Sequence, residues 1–374
     1  MLPKITPQRI AVKVKAVAER SIRQEHPWIF ESSITKQSAE AKAGDLAIIY
    51  DKKKNKFLAL GLFDPHSPIR IKLIQFKRPA TLDEDWFKER VKTAYQKRQP
   101  LLATDTNSYR LIYGENDGFP NFIADVYAEV LVVKLYAAIW LPYLHILLPI
   151  LLKASNCKTL VLRLSRNMER IHPQLHGLQN GQVLHGTLEK EVIIFREHGL
   201  QFTANVIRGH KTGYFLDHRH NRQKIGMLSK GKRVLDIFAY AGGFSVHALA
   251  GGAKEVVSLD ISKQALNMAT ENVHLNGLSA QHGTLAVDAF KGMQALEQDG
   301  KRFDIVIVDP PSFAKQDSEC PKALQAYRRL AKLAIPLVAK NGILLLASCS
   351  SRINAEDFFK NAQQALESSK RIFQ

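Results

Sequence analysis

Val234-Leu-Asp-Ile-Phe-Ala-Tyr-Ala-Gly-Gly-Phe-Ser-Val-His-Ala-Leu249 runs from an apolar strand through an acid and a small-residue turn into a helix. Twenty-four residues after Asp236, a second apolar run, Glu255-Val-Val-Ser-Leu-Asp260, ends in another carboxylate. Strand, close-approach turn, helix and a second strand-end acid describe a nucleoside site in a parallel α/β sheet. The turn is Ala241-Gly242-Gly243 rather than G-x-G-x-x-G, so no pyrophosphate cradle is present. A nucleoside without phosphate fits, and S-adenosylmethionine is the cofactor expected.

The acids divide the work chemically. Asp236 would repel phosphate but attract an ammonium and a sulfonium. Asp260 is placed to accept from two ribose hydroxyls, and Asp288 from an adenine amino group. Phe238, Ala241 and Gly242 of the turn, and Ile261 beside Asp260, complete the expected cofactor wall. A single strand-end acid often only caps the next helix; three at successive strand ends favour a nucleoside.

Further along, Phe303-Asp-Ile-Val-Ile-Val-Asp-Pro-Pro-Ser-Phe-Ala-Lys315 is a buried strand ending in Asp309, followed by a turn stiffened by two prolines. A fifth strand is expected over 342–351, with Cys349 at its carboxyl end. A thiol there is placed either as a nucleophile or as a small apolar filler, and spacing alone does not choose. Upstream, Gly209-His-Lys-Thr-Gly-Tyr-Phe-Leu-Asp-His-Arg-His-Asn-Arg222 is too dense in charge and aromatics for a linker. Tyr214 and Phe215 are expected to flank the adenosine or methionine moiety, with Asp217 and Arg219 orienting the loop or the donor.

The rest of the chain points to a polyanion. Of 374 residues, 53 are Lys or Arg and 35 are Asp or Glu, a net charge of +18. Half of that excess lies in the first 80 residues, with 16 basic and 7 acidic side chains. Short alternating runs there (10–14, 45–50, 57–62 and 69–74) read as a small β-barrel. Asp51-Lys-Lys-Lys-Asn-Lys56 forms its basic hairpin tip, including Lys53 and Lys54. In His26-Pro-Trp-Ile-Phe30 the aromatics either stack a base or lie in the core, and composition favours core for Trp28 and Phe30. A charged helix over 83–99 then leads into a small α+β unit with strands near 110–113, 122–127, 130–136, 159–164 and 191–196. The apolar segment 137–152 is short for a membrane span and is interrupted by Pro142, His145 and Pro149, so a buried helix is expected. Three cysteines, no metal spacing and no apolar leader suggest a reducing, cytoplasmic setting without a bound metal.

With these residues in hand, the chain resembles the RlmI-like family of large-subunit rRNA cytosine-C5 methyltransferases over nearly its whole length. Lys211-Thr-Gly-Tyr-Phe-Leu-Asp-His-Arg219, Asp309-Pro-Pro-Ser-Phe313 and Ser348-Cys-Ser350 match that family's motifs in order. The resemblance implies a PUA-like RNA-binding β-barrel over 1–78 and a connector helix with a small central α+β domain over 79–205. A Rossmann-like class I methyltransferase sheet would follow over 206–374. It implies Cys349 as nucleophile, Asp309 as a contact to the target base, and Arg23, His26 and Trp28 among the RNA contacts. The expected partner is large-subunit rRNA, without a membrane and with homodimer formation left open. A related branch methylates guanine N7 and shares Asp-Pro-Pro-x-Phe, so Cys349 is the discriminator; an RNA-binding assembly factor without catalysis is a further alternative. The family's sheet ends in an antiparallel strand pair that would begin near Ser369. The sequence stops there, so it reads as truncated, with an exposed apolar edge and marginal stability expected.

Overall fold

In the computed structural model, Val234–Leu249 lies in the middle of a five-stranded parallel sheet. The structure describes residues 2–170, 175–369 and 371–372. The sheet strands are β1 (Arg233–Ile237), β2 (Glu255–Asp260), β3 (His282–Ala286), β4 (Phe303–Val308) and β5 (Val338–Leu346). Their spatial order is β3-β2-β1-β4-β5, every pair parallel. Strand order therefore reverses between β1 and β4, and the crevice beyond their carboxyl ends is where such sheets bind ligands. The continuous apolar runs of β1 and β4 are covered on both faces, as a parallel sheet requires.

Among the described residues, six α-helices accompany the sheet: α1 (Arg219–Leu228), α2 (Gly243–Ala250), α3 (Lys263–Leu275), α4 (Ala289–Gln298), α5 (Cys320–Ala334) and α6 (Ala355–Ser368). Local chemistry sets their starts. Ser262, Asp288 and Asn354 accept from the third backbone N–H ahead of them and so cap α3, α4 and α6. Before α2, Gly242 has φ +72°, and a Cβ there would lie 2.8 Å from Ala269 Cβ. Only glycine permits that approach of the turn to α3.

The chain packs as two compact units, residues 1–199 with 203–216, and residues 200–202 with 217–374. In the first, the strands Arg9–Val14, Trp28–Phe30, Ile34–Gln37, Leu46–Tyr50, Phe57–Phe63 and Ile69–Phe76 form one six-stranded sheet. The strands at its two ends, 28–30 and 34–37, are joined by a single turn at Glu31–Ser33. A three-residue link between opposite edges requires the sheet to curl into a barrel. Four of the strands were anticipated; the short 28–30 and 34–37 strands and the helix Ala16–Arg23 were not.

A second sheet follows, of Ser108–Tyr113, Phe122–Tyr127, Val130–Leu135, Thr159–Leu164 and Gln182–His185, beside the helix Glu84–Gln96. Leu46, Leu60, Leu62 and Ile74 of the barrel share one core with Phe87, Trp140 and Tyr143 of this region. The Tyr143 hydroxyl donates to Gly44 O at 2.9 Å across the same seam. The apolar stretch Ala138–Ser155 is long and apolar enough by composition to cross a membrane, but most of it is buried here. The Trp140 indole donates to Pro120 O at 2.6 Å from inside this core.

Candidate active site

The turn after β1 departs from ordinary backbone. Phe238 and Tyr240 both have left-handed φ, +65° and +48°, a conformation costing on the order of 1 kcal/mol for a non-glycine residue. Hydrogen bonds hold it: Phe238 N and Ala239 N donate to Leu259 O at 2.8 and 3.1 Å, and Asn272 Nδ2 to Ala241 O at 2.8 Å. Tyr240 N donates to one oxygen of Asp260 at 3.0 Å and Ser262 N to the other at 2.9 Å. Asp260 is thus fixed and half-buried at the tip of β2, each oxygen retaining an unused lone pair. Beside it in sequence Ile261 is 73% exposed.

Asp236 behaves differently. It is 1% exposed, and its Oδ2 accepts from both the backbone and the hydroxyl of Ser245, at 3.2 and 2.7 Å. It therefore caps α2, the alternative role for a strand-end acid. The network continues inward: Ser245 Oγ lies 2.7 Å from Ser258 Oγ, which lies 2.8 Å from His282 Nε2. Burial pushes the Asp236 carboxyl up to about 7; the nearby Asp309 and Asp260 add to this, while the Ser245 bonds oppose it. Asp288 caps α4 by accepting from Lys291 N, with Phe290 half-buried under Arg329. Asp217 is exposed just before α1, and Arg219 is buried within it.

Tyr214 requires a correction. It is 3% exposed and packs in the first unit, 5.1 Å from the Phe195 ring, with its backbone N–H donating to Tyr127 OH. Its neighbour Thr212 donates to Asp125 Oδ2 at 2.6 Å, and Asp125 is also clamped by Arg110 at 2.8 and 2.9 Å. The Lys211-Thr-Gly-Tyr segment is thus anchored by core contacts, and the Tyr214 ring forms no open wall for a ligand. Phe215 remains exposed.

Cys349 also sits differently from expectation, because β5 ends at Leu346 and the thiol lies three residues beyond, on a loop. That loop is stapled to the Asp309-Pro-Pro turn. Ser350 Oγ accepts from Phe313 N at 3.0 Å and Ala314 N at 3.4 Å, and lies 2.8 Å from Tyr327 OH. Ser348 Oγ donates to the same tyrosine at 3.0 Å. With a serine fixed on either side, Cys349 is exposed and its thiol donates to Asp309 Oδ1 at 3.7 Å. His218 Nε2 lies 3.7 Å from that same oxygen, and Asn221 Nδ2 is 3.0 Å from its other nitrogen. Burial raises the Asp309 carboxyl above its usual range; His218 lowers it, Asp217 raises it, and Cys349 and Arg222 lower it.

Thiol, carboxyl and imidazole lie within 4.8 Å of one another, a spacing that would also suit a metal ion. His218, Tyr327, Ser350 and the Ser245–Ser258–His282 chain were not assigned from sequence. His218 and Ser350 stood inside quoted motifs, whereas Tyr327 carried no local signal.

In the first unit, Arg23, His26, Lys53 and Lys54 are all exposed. Lys52 N donates to Glu19 Oε1 at 2.8 Å, which ties the basic tip to the 16–23 helix. Arg23 reaches within 3.9 Å of Asp51. The core assignment for Trp28 and Phe30 is overturned: they are 38% and 45% exposed, on either side of buried Ile29. Alternation along the edge strand turns Ile29 inward and both aromatics outward. His26 packs edge-on against Trp28 at 5.7 Å.

A doubly wound parallel sheet with carboxylates ending β1, β2 and β4 defines a class of enzyme that binds a cationic nucleoside. Asp309 and Asp260 add to the cost of ionising buried Asp236, a cost that a ligand bearing sulfonium and ammonium groups would offset. Residues 151–371 match the S-adenosylmethionine-dependent methyltransferase family model, and residues 12–76 match a PUA-like domain. The chain belongs to this methyltransferase family, and S-adenosylmethionine is its cofactor. It is 43% identical over 375 residues to a Deinococcus radiodurans protein named ribosomal RNA large subunit methyltransferase, covering 99% of this chain and 91% of the relative. It is 34% identical to the Aeromonas salmonicida ribosomal RNA large subunit methyltransferase I, covering 91% and 86%. A Streptococcus mutans protein solved as a candidate methyltransferase shares the fold with TM-score 0.80 at 20% identity, covering 96% and 91%.

Proposed function

We propose that this protein methylates carbon 5 of a cytosine in large-subunit ribosomal RNA. The observation that carries the reading is the exposed Cys349 thiol, braced between Ser348 and Ser350 and 3.7 Å from Asp309. Carbon 5 of cytosine is a poor nucleophile, and methylation at a ring nitrogen needs no thiol. Supporting the substrate class are the names of the relatives, the PUA-like match and the exposed basic and aromatic side chains of the barrel. In this division residues 1–78 anchor RNA, residues 79–205 carry the barrel, and residues 206–374 perform the transfer.

For the cofactor, Asp260 would hold the ribose, with Ile261, Phe238 and Asp288 around the adenine. Ala241 and Gly242 would allow close approach, and Asp236 would sit behind the methionine ammonium. Phe215, Asp217 and Arg219 would border the donor. When bound, S-adenosylmethionine supplies an electrophilic methyl group and leaves as S-adenosylhomocysteine.

Cys349 reacts as a thiolate, its proton passing to solvent through Asp309. The sulfur bonds to carbon 6 and the 5,6 double bond opens, placing electron density on carbon 5, which becomes methylated. Asp309, its basicity raised by burial, then takes the carbon 5 proton. The released electron pair re-forms the double bond and expels the Cys349 thiolate.

The test is mass spectrometry of large-subunit rRNA nucleosides from cells with the protein, without it, and with Cys349→Ala. A 5-methylcytidine lost in both altered strains is expected. A methylguanosine that tracks the protein, or full activity of Cys349→Ala, refutes the reading.

A further inference from the structure

Between the barrel and the second sheet of the first unit lies an open cleft of about 640 Å³, within the size range of small-ligand and nucleotide sites. It belongs wholly to the first unit, whereas Cys349 and Asp309 belong to the second. Its floor is electrically balanced: Lys72 and Asp64 are both buried and paired at 2.6 Å. The rim is not, since Arg166 and Arg170 are exposed and neither has an ion-pair partner among the described residues. Glu169 lies between them in sequence and is exposed too, so the rim carries a net positive charge but a moderate one.

Two further groups point to a ligand. Asn121 Oδ1 is buried in the wall with no hydrogen-bond partner, an omission that ordinarily costs about 1–3 kcal/mol. Asn121 O accepts from Tyr136 N at 2.9 Å, which places the partly exposed Tyr136 beside it in the same wall. An aromatic surface, two unpaired guanidiniums and an unfilled acceptor together are the equipment for gripping a single strand: stacking for a base, cations for phosphates, and an oxygen awaiting a donor. The barrel continues this surface. Trp28 stands directly across the strand pair from Lys72, so the two side chains project from the same face of the sheet.

We propose that this cleft is an RNA site separate from the methyl-transfer centre, holding one or two unpaired nucleotides of the substrate. Phosphates lie against Arg166 and Arg170 and a base against Tyr136. A ribose 2′-hydroxyl or base amino group donates to Asn121 Oδ1. The proposal rests on the reading that the substrate is RNA.

The test uses the full chain and a fluorescein-labelled, unstructured 12-nucleotide (UC)6 oligoribonucleotide, with anisotropy titrations across a range of salt. Arg166→Ala/Arg170→Ala removes two single-strand phosphate contacts, so the slope of log affinity on log salt falls by about 1.4. Referred to 1 M salt, that is roughly a 25-fold loss at 0.1 M. Arg166→Lys/Arg170→Lys keeps most of the slope. Tyr136→Ala weakens binding roughly tenfold with the slope unchanged, and Tyr136→Phe does not.

Unchanged S-adenosylmethionine binding and circular dichroism certify the fold of each variant. If wild type binds the oligonucleotide and Arg166→Ala/Arg170→Ala keeps its affinity and slope, the cleft proposal falls and the functional reading stands. If the cleft variants lose RNA but wild type transfers no methyl group to rRNA, the functional reading falls and the cleft stands. A wild type that binds no oligonucleotide at any salt overturns the cleft proposal outright.

Discussion

Replacing Asp236 by asparagine separates the two roles of this residue. Its carboxyl is raised from 3.8 to about 7 in the folded protein. Between those values the unfolded chain ionises while the native state keeps its proton. The native state is therefore favoured below pH 4, that advantage fades as pH rises, and it is gone above 7. About three units at 1.36 kcal/mol each set an upper bound of roughly 4 kcal/mol. The oxygen of asparagine still accepts both Ser245 bonds and stays neutral. Without cofactor, Asp236→Asn should therefore exceed wild type by only about 1 kcal/mol near pH 4.5 and by up to about 4 kcal/mol at pH 8, measured by urea unfolding with circular dichroism. If Asp236 lies behind the methionine ammonium as proposed, the same variant should bind S-adenosylmethionine more weakly at pH 8 by calorimetry, because the negative charge there is gone. A stability difference that is constant across pH 4.5–8 would refute the account of Asp236 as a buried acid under strain from its neighbours.

Other outcomes follow from the same geometry. Cys349→Ala should leave cofactor affinity unchanged, and RNA carrying 5-fluorocytosine should trap wild type in a covalent complex visible on a denaturing gel, because fluorine cannot leave as a proton. Ser350→Ala strips an acceptor from Phe313 N and Ala314 N and should lower stability by about 1–3 kcal/mol, with turnover reduced at unchanged cofactor affinity. Asp125→Ala leaves Arg110 and Thr212 without their shared partner. Truncating a buried ion pair costs about 3–5 kcal/mol, here nearer 3 because the arginine is partly exposed; unfolding followed by tryptophan fluorescence reads it. Lys53→Ala/Lys54→Ala should lower the RNA-binding salt slope by about 1.4 while sparing sequence preference.

The sequence was most legible where a residue's local pattern decides its structure. β4, a run of apolar residues ending in Asp309, falls where periodicity put it, and Thr159–Leu164 matches to the residue. The short edge strand at 28–30 escaped notice because three residues carry too little alternation. The same shortage misassigned Trp28 and Phe30, whose outward orientation follows from register against 69–72. Tyr214 and Asp236 illustrate a second limit. Residue type predicted that Tyr214 would border a ligand, yet its ring packs on Phe195, and residue type did not show that Asp236 also caps α2. Tyr327 was invisible because its partners, Ser348 and Ser350, lie more than 20 residues away.

The seam between the barrel and the second sheet limits how this protein can be taken apart. A cut after residue 78 would leave Leu46, Leu60, Leu62 and Ile74 without Phe87, Trp140 and Tyr143, and would expose apolar surface on both fragments. The barrel is therefore not a portable module, and grafting it onto another enzyme to redirect that enzyme's substrate choice would require carrying the second sheet along. For protein engineering, the smallest piece worth transplanting is the whole first unit.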